Sequence, residues 1–261
     1  MRTVLASERL RGRSGRAIRA ALNGVLLGCL SEDDLRRLDE HYYDCSSEFR
    51  STTWNERGLW QWELEAVQLA FAGRSRIAMI ACGGGRELLA LRRLGFDAIG
   101  YEPHPLLREY AACFLAARGF GGVVRAMPRD RFPTADGPFD GVLVGWGAYS
   151  LIAPRPTRIS FLKDAVAACT ARSPLMLSVF GRPLHGRELR ITAGVATALR
   201  ALRRTERLDL GDTLAPNRVH VFTDCELSVE LTQARLVVDS LRNLGPADPT
   251  TSYLCAVAHV P

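Results

Sequence analysis

The sequence predicts an α/β fold in which a largely parallel sheet carries helices on both faces and is preceded by a helical segment. Three observations predict it. From Arg76 onward, short apolar runs alternate with helix-length segments, the pattern of strand–helix–strand units that build a parallel sheet. The last two strand-like runs, 235–241 and 252–260, have no helix-length segment between them, so one of them must run antiparallel at the sheet edge. Ahead of the alternation, residues 15–43 read as helical and 42–62 as aromatic-rich.

Taken in order, "SEDDLRRLDEHYY" starts on Ser31, and Asp34 three positions on gives a capping arrangement. Tyr42, Tyr43, Phe49, Trp54, Trp60 and Trp62 follow closely. The first strand, "IAMIA", leads to a helix over 86–94 that Gly95 stops. Strand "DAIGYE" leads to a helix over 105–118, with Pro105 near its first turn and Gly119 after its end. "GVVRAM" and "FDGVLVGW" are the third and fourth strands, and "RISFLKDAVAACTA" is the next helix. Strand "PLMLSVF" precedes the helix "GRELRITAGVATALRALRR". The tail holds "VHVF", then a helix with the capping box Thr223/Glu226, then the closing pair of strands.

A chain of 261 residues can build one large domain plus a small cap. The expected division is an aromatic-rich helical cap over 1–70 and the strand–helix alternation within 71–261. With 47% hydrophobic and 24% charged residues the composition is that of a globular protein. The longest uncharged runs, such as 141–154, fall short of a membrane span, which needs roughly 18 apolar residues. No secretion-signal pattern is present. The seven cysteines are scattered singly. A disulfide framework or a metal site is not expected, and a reducing cytoplasm is the natural compartment. Of the net charge of +6, residues 1–20 carry +5 and the other 241 only +1, with Lys163 the sole lysine. A nucleic-acid partner is therefore not expected for the body of the protein.

The stretch "IACGGGRELL" raises the question of what its turn holds. A Walker-type loop needs a Lys-Ser/Thr pair that is missing here. A dinucleotide turn needs a third small residue where Leu88 stands, and this bulky side chain should keep the helix off the strand. An S-adenosyl ligand has no phosphates. It needs a side-chain-free turn and a carboxylate at the end of the next strand to accept from both ribose hydroxyls. Glu102 ends the second strand, 19 residues after Gly83.

These stretches resemble the motifs of class I S-adenosylmethionine-dependent methyltransferases. "MIACGGGRE" is similar to the family's first motif and "AIGYEPHP" to its second. "FDGVLVGWG", "PLMLSVF" and the tail from Val219 to Leu241 are similar to its later segments. The resemblance implies a Rossmann-like, doubly wound, seven-stranded sheet of order 3-2-1-4-5-7-6 with the last strand antiparallel. It implies S-adenosyl-L-methionine as cofactor and S-adenosyl-L-homocysteine as product. It assigns cofactor contacts to Ala81, Cys82, Gly83 and Gly85 at the turn, Glu102 and Pro103 at the second strand end, Asp130, and Gly145 with Trp146. Two departures stand out. Met79 replaces the acidic residue that helps hold the methionine ammonium, for which Glu87 could compensate. Ala81 replaces a glycine.

Methyl transfer is an in-line displacement in which alignment and desolvation of the acceptor do much of the work, so a general base is optional. Candidate catalytic residues are His185, in the loop after the fifth strand, and Tyr149, after the fourth. Candidate substrate contacts are Tyr42, Tyr43, Trp54 and Trp60 as a lid, and Arg182 for an anionic acceptor. The expected function is an O- or N-methyltransferase acting on a small molecule or peptide in a biosynthetic pathway. An RNA methyltransferase, which would need a basic face and an appended module, and a non-catalytic binding protein of the same fold, which the Met79 departure would suit, are the alternatives.

Overall fold

Among the described residues, four α-helices precede the sheet: α1 (Arg2–Cys29), α2 (Glu32–Cys45), α3 (Thr52–Asn55) and α4 (Gln61–Ala70). The computed structural model describes residues 2–182, 186–203, 208–214, 216–248 and 251–261. The helical stretch expected over 15–43 is two helices. Ser31 breaks it because its hydroxyl accepts from the Asp34 amide at 3.1 Å while the Asp34 carboxylate accepts from the Ser31 amide at 3.1 Å. This reciprocal cap satisfies amides that a continuous helix would have bonded internally.

The main sheet holds β1 (Arg76–Ile80), β2 (Asp97–Glu102), β3 (Val124–Ala126), β4 (Gly141–Val144) and β5 (Pro174–Gly181) in parallel, in the order β3-β2-β1-β4-β5. Beyond β5 the chain adds β6 (Asp212–Leu214) and β7 (Arg218–His220), a separate antiparallel pair. The last two strands, β8 (Val237–Asp248) and β9 (Thr251–His259), complete the main sheet, with β9 antiparallel between β5 and β8. Counted within this sheet alone, the order is 3-2-1-4-5-7-6, as the sequence resemblance implies. The run "VHVF" is not a strand of this sheet. It contributes β7 to the small hairpin, whose partner β6 is too short at three residues to show an alternating pattern.

The remaining helices are α5 (Arg86–Arg93), α6 (Pro105–Ala116), α7 (Arg155–Ala167), α8 (Arg187–Leu202) and α9 (Asp224–Gln233). Alternate residues of β1, β4 and β5 feed two cores. Ala78, Ile80, Val142, Val144, Leu175 and Leu177 face one; Ile77, Met79, Leu143 and Met176 face the other, with Leu88 and Leu89 of α5. Leu88 corrects the steric expectation drawn from the sequence. It is fully buried against β2 because Gly100 leaves the room: a Cβ there would overlap the Leu88 side chain. The helix therefore packs on the strand with a bulky residue at the third position.

Helix α1 lies along α8. A Cβ on Gly24 would come within 2.7 Å of the Thr192 carbonyl oxygen, and one on Gly28 within 2.8 Å of Leu199 Cβ, so two glycines set the approach. Thr192 Oγ1 donates to the Ala20 carbonyl and Arg200 Nε to that of Leu27, each at 2.9 Å.

Candidate functional site

The carboxyl ends of β1, β2 and β4 open into a cavity of about 480 Å³, roofed by α2 and by the segment through Trp54. Its floor is the turn after β1. Ala81 and Gly83 have positive φ (53° and 54°), and Gly85, just before α5, has φ 105°. Alanine is rarely found in this left-handed region. Ala81 accepts it here while the chain crosses beneath β4, where Gly145 leaves room for the Ala81 carbonyl.

Glu102 is the charged centre of the site. Its carboxylate is 4% exposed and lines the cavity. Oε2 accepts from the Gly83 amide at 2.7 Å and Oε1 from the His104 amide at 2.9 Å. Each oxygen retains a lone pair. Burial raises its pKa to about 7, against the two amide hydrogen bonds, which lower it.

At the β3 end, Asp130 has φ 59° and lies 3.7 Å from Arg129 Nε. Burial is the main reason that its carboxyl titrates higher than usual. Arg129 also pairs with Asp39 of α2, a residue 2% exposed that Asn217 holds from its other side. Thus the helical roof is tied to the β3 loop by charge-assisted bonds. Pro103, Met127 and Ile152 add apolar wall.

The glycine turn meets the roof directly. Gly84 has no room for a Cβ, which would overlap the Phe49 carbonyl oxygen and come within 2.8 Å of both polar atoms of the Asn55 amide. Gly84→Ala should therefore push the 49–55 segment off the turn. We expect a melting temperature lowered by several degrees and faster hydrogen exchange over 47–60, since the obstacle is backbone and cannot rotate away. Unchanged exchange there would show that the roof does not rest on the turn.

Of the residues that the sequence suggests for the cofactor, Ala81, Cys82, Gly83, Glu102, Pro103, Asp130 and Trp146 line this cavity. Gly85 and Gly145 are not among its lining residues; they shape the turn and the strand end. Tyr43 and Trp54 line it, whereas Tyr42 and Trp60 pack behind them, at ring separations of 5.1 Å and 5.9 Å. Trp60 also sits under the Arg86 guanidinium at 5.1 Å. Trp146 reaches Trp54 at 6.4 Å and Tyr253 at 5.1 Å.

Two candidates are placed elsewhere. Tyr149 is fully buried; its hydroxyl donates to Glu230 Oε2 at 2.8 Å and its ring stacks on Phe222. It serves the core and presents no group to the cavity. Arg182 donates to both Glu226 oxygens at 2.7 Å, inside the cap of α9, so it is not set to hold an anionic acceptor. The suggested base His185 lies outside the described residues.

The sequence reading missed Asn55, Phe49, Asp39 and Arg129, all of which line the cavity. A lone Asn amid aromatics carries no periodic signal, and the Asp39–Arg129 pair joins elements ninety positions apart.

Away from the cavity, Asp209, Asp212 and His220 bring ligand-capable atoms within 4.8 Å of one another. Arg158 lies 3.5 Å from Asp209 and Arg218 lies 3.0 Å from Asp212, so guanidinium groups already supply the positive charge a metal would bring. His220 Nδ1 lies 2.7 Å from Asp212.

No protein-family model matches the sequence, and no curated protein matches it significantly. Solved structures do match. A S-adenosylmethionine-dependent methyltransferase of Methanosarcina mazei has a TM-score of 0.62 and 17% identity, with 77% of this chain and 98% of the other covered. A 1,6-didemethyltoxoflavin N1-methyltransferase of Burkholderia thailandensis, solved with 1,6-didemethyltoxoflavin and S-adenosylhomocysteine bound, scores 0.60 at 17% identity, covering 88% and 91%. A methyltransferase of Clostridium acetobutylicum scores 0.59 at 7%, covering 86% and 96%. The chain has their fold. At these identities the likeness is one of architecture, and the site must be argued from its own residues. Among the described residues no helix is long and apolar enough to cross a membrane.

Proposed function

We propose that this protein transfers a methyl group from S-adenosyl-L-methionine to oxygen or nitrogen of a small molecule or peptide. The carrying observation is the buried carboxylate of Glu102, held by the Gly83 and His104 amides at the mouth of a glycine turn. Such a group suits a ribose diol, whose two hydroxyls can each donate to one oxygen. Ala81, Cys82 and Gly83 offer backbone without bulk beside it, and Asp130 and Ile152, which line the same cavity, would serve adenine. The Burkholderia structure, which binds S-adenosylhomocysteine, supports this reading by its fold.

When bound, the cofactor supplies an activated methyl on a sulfonium. This chain's residues bind, orient and exclude water. Trp146, Trp54, Phe49 and Tyr43 form an aromatic wall that strips water from an acceptor, and the 49–55 roof confines it. Tyr149, engaged by Glu230, offers no base to the cavity, and the described residues contribute by aligning the acceptor. Calorimetry with S-adenosylhomocysteine and with NADH tests the cofactor, followed by a labelled-methyl screen of acceptors. Tighter binding of NADH would refute the reading.

Binding should also depend on pH. The Glu102 pKa is raised by burial to about 7, and its ionised form is the better acceptor for hydroxyls. S-adenosylhomocysteine affinity should therefore rise about tenfold from pH 6 to pH 8 and then level off. The same shift has the opposite sign for the ligand-free fold. A carboxyl with a raised folded-state pKa contributes stability at pH below its ordinary value and loses it as pH climbs to about 7. Glu102→Gln should flatten both profiles; a profile that the variant retains belongs to another group.

A further inference from the structure

A second set of acceptors lies where the glycine turn enters α5. Glu63 of α4 and Arg86 and Glu87 of α5 are 3%, 3% and 7% exposed. Arg86 Nη1 and Nη2 donate to the two Glu63 oxygens at 2.8 Å and 2.9 Å, and Nη2 donates to Glu87 Oε1 at 2.6 Å. The Trp146 amide adds a bond to the same Glu87 oxygen at 3.2 Å. Two carboxylates thus face one guanidinium where water cannot make up the difference. Burial raises the Glu63 pKa, against the Arg86 hydrogen bonds that lower it; with both carboxylates ionised the excess is negative, and an uncompensated buried charge is costly. Glu87 lines the cavity.

Asn55 supplies the independent observation. It is 1% exposed and lines the same cavity. Its Nδ2 donates to two carbonyl oxygens, Phe49 at 2.9 Å and Ser51 at 2.8 Å. Two acceptors on one side fix which end of the amide is nitrogen. Oδ1 is then a buried acceptor with no partner among the described residues. Its place is over the turn, since a Cβ on Gly84 would lie 2.8 Å from it. An unpaired acceptor asks for an N–H or O–H donor, and the charge excess asks for a cation. A sulfonium meets only the second need, and a primary ammonium meets both.

We propose that Glu87 and Asn55 form a subsite for the primary ammonium at the amino-acid end of the ligand. This inference rests on the S-adenosyl reading of the cavity. It also accounts for Met79. That residue is fully buried beneath α5 on the other face of β1, so a carboxylate at position 79 would point into the apolar core formed with Leu88 and Leu89. The cation is met instead from α5 and from the roof, so the roof segment that carries Trp54 gains a ligand contact of its own.

The test uses two ligands that share the adenosyl thioether, S-adenosylhomocysteine and 5′-methylthioadenosine; the second lacks the amino-acid end. Calorimetry on the wild-type protein comes first. If neither ligand binds, the cofactor reading fails and takes this inference with it. If both bind, Glu87→Gln should weaken S-adenosylhomocysteine tenfold or more and leave 5′-methylthioadenosine within about threefold. Retained 5′-methylthioadenosine binding shows that the site is still folded. Asn55→Leu, read in the same way, covers the case in which Glu87→Gln does not fold. Loss of both ligands in parallel by a folded variant, or S-adenosylhomocysteine binding within threefold of wild type in the folded variants, overturns the subsite and leaves the cofactor reading standing.

Discussion

Glu102→Ala should weaken S-adenosylhomocysteine binding by about 30- to 1,000-fold, a loss of roughly 2–4 kcal/mol. Charge-assisted hydrogen bonds contribute about 1.5–3 kcal/mol each, and two made by one carboxylate are coupled, so the total is less than their sum. The structure adds a consequence that the sequence hides. From the sequence, Glu102 reads as an unpaired strand-end carboxylate whose loss leaves the fold untouched. In the structure it bonds the Gly83 and His104 amides, so alanine strips two buried donors as well as the ligand contact. Against that, alanine also removes a carboxylate whose burial is unfavourable. These effects on the ligand-free protein oppose each other, and its melting temperature at neutral pH should move less than the binding does. Glu102→Gln, which keeps one acceptor oxygen and loses the charge, should fall between wild type and alanine. Dissociation constants for the three proteins, with melts of each, decide the matter. An alanine variant that binds within about threefold of wild type would mean that the carboxylate does not face the ribose.

Much of the frame was legible because it rests on local patterns. The strand–helix alternation, Glu102 at the end of β2, and the close final pair of strands each follow from period, spacing and turn chemistry. The site was legible where one stretch of chain makes it, as with the turn from Ala81 to Gly85. It was not legible where distant side chains meet. Nothing around Tyr149 announces Glu230, 81 positions away, and nothing around Arg182 announces the cap of α9. Their places after the fourth and fifth strands made both look like loop residues free to meet a substrate, when buried or capped partners had already engaged them. Leu88 failed as an exclusion for the converse reason. Its bulk was visible in the sequence, but the space that Gly100 leaves for it on a neighbouring strand was not.

The partner of Tyr149 leads to the largest expected effect on stability. Arg158 of α7 and Glu230 of α9 are each 1% exposed. Arg158 Nη2 donates to Glu230 Oε1 at 2.8 Å and Nε to Oε2 at 3.0 Å, while its guanidinium lies over the Phe222 ring at 5.2 Å. The pair joins two helices on one face of the sheet. A buried ion pair adds little over well-packed apolar residues, because desolvation offsets the attraction, but removing one partner strands the other. Arg158→Leu leaves the Glu230 carboxylate with the Tyr149 hydroxyl and the half-exposed Arg155, 3.4 Å away. The expected cost is about 3–5 kcal/mol, seen as a melting temperature lowered by roughly 6–20 °C in a chain of this size. Adding Glu230→Leu removes the stranded charge and should recover a large part of the loss. Tyr149→Phe removes one hydrogen bond to the same carboxylate and should cost only about 1 kcal/mol. It should also leave methyl transfer intact, because its hydroxyl serves Glu230 and not the cavity. Denaturant titrations of the four proteins separate these outcomes. A single Arg158→Leu variant as stable as wild type, or a double variant worse than the single, would show that the pair is not the buried tie between α7 and α9.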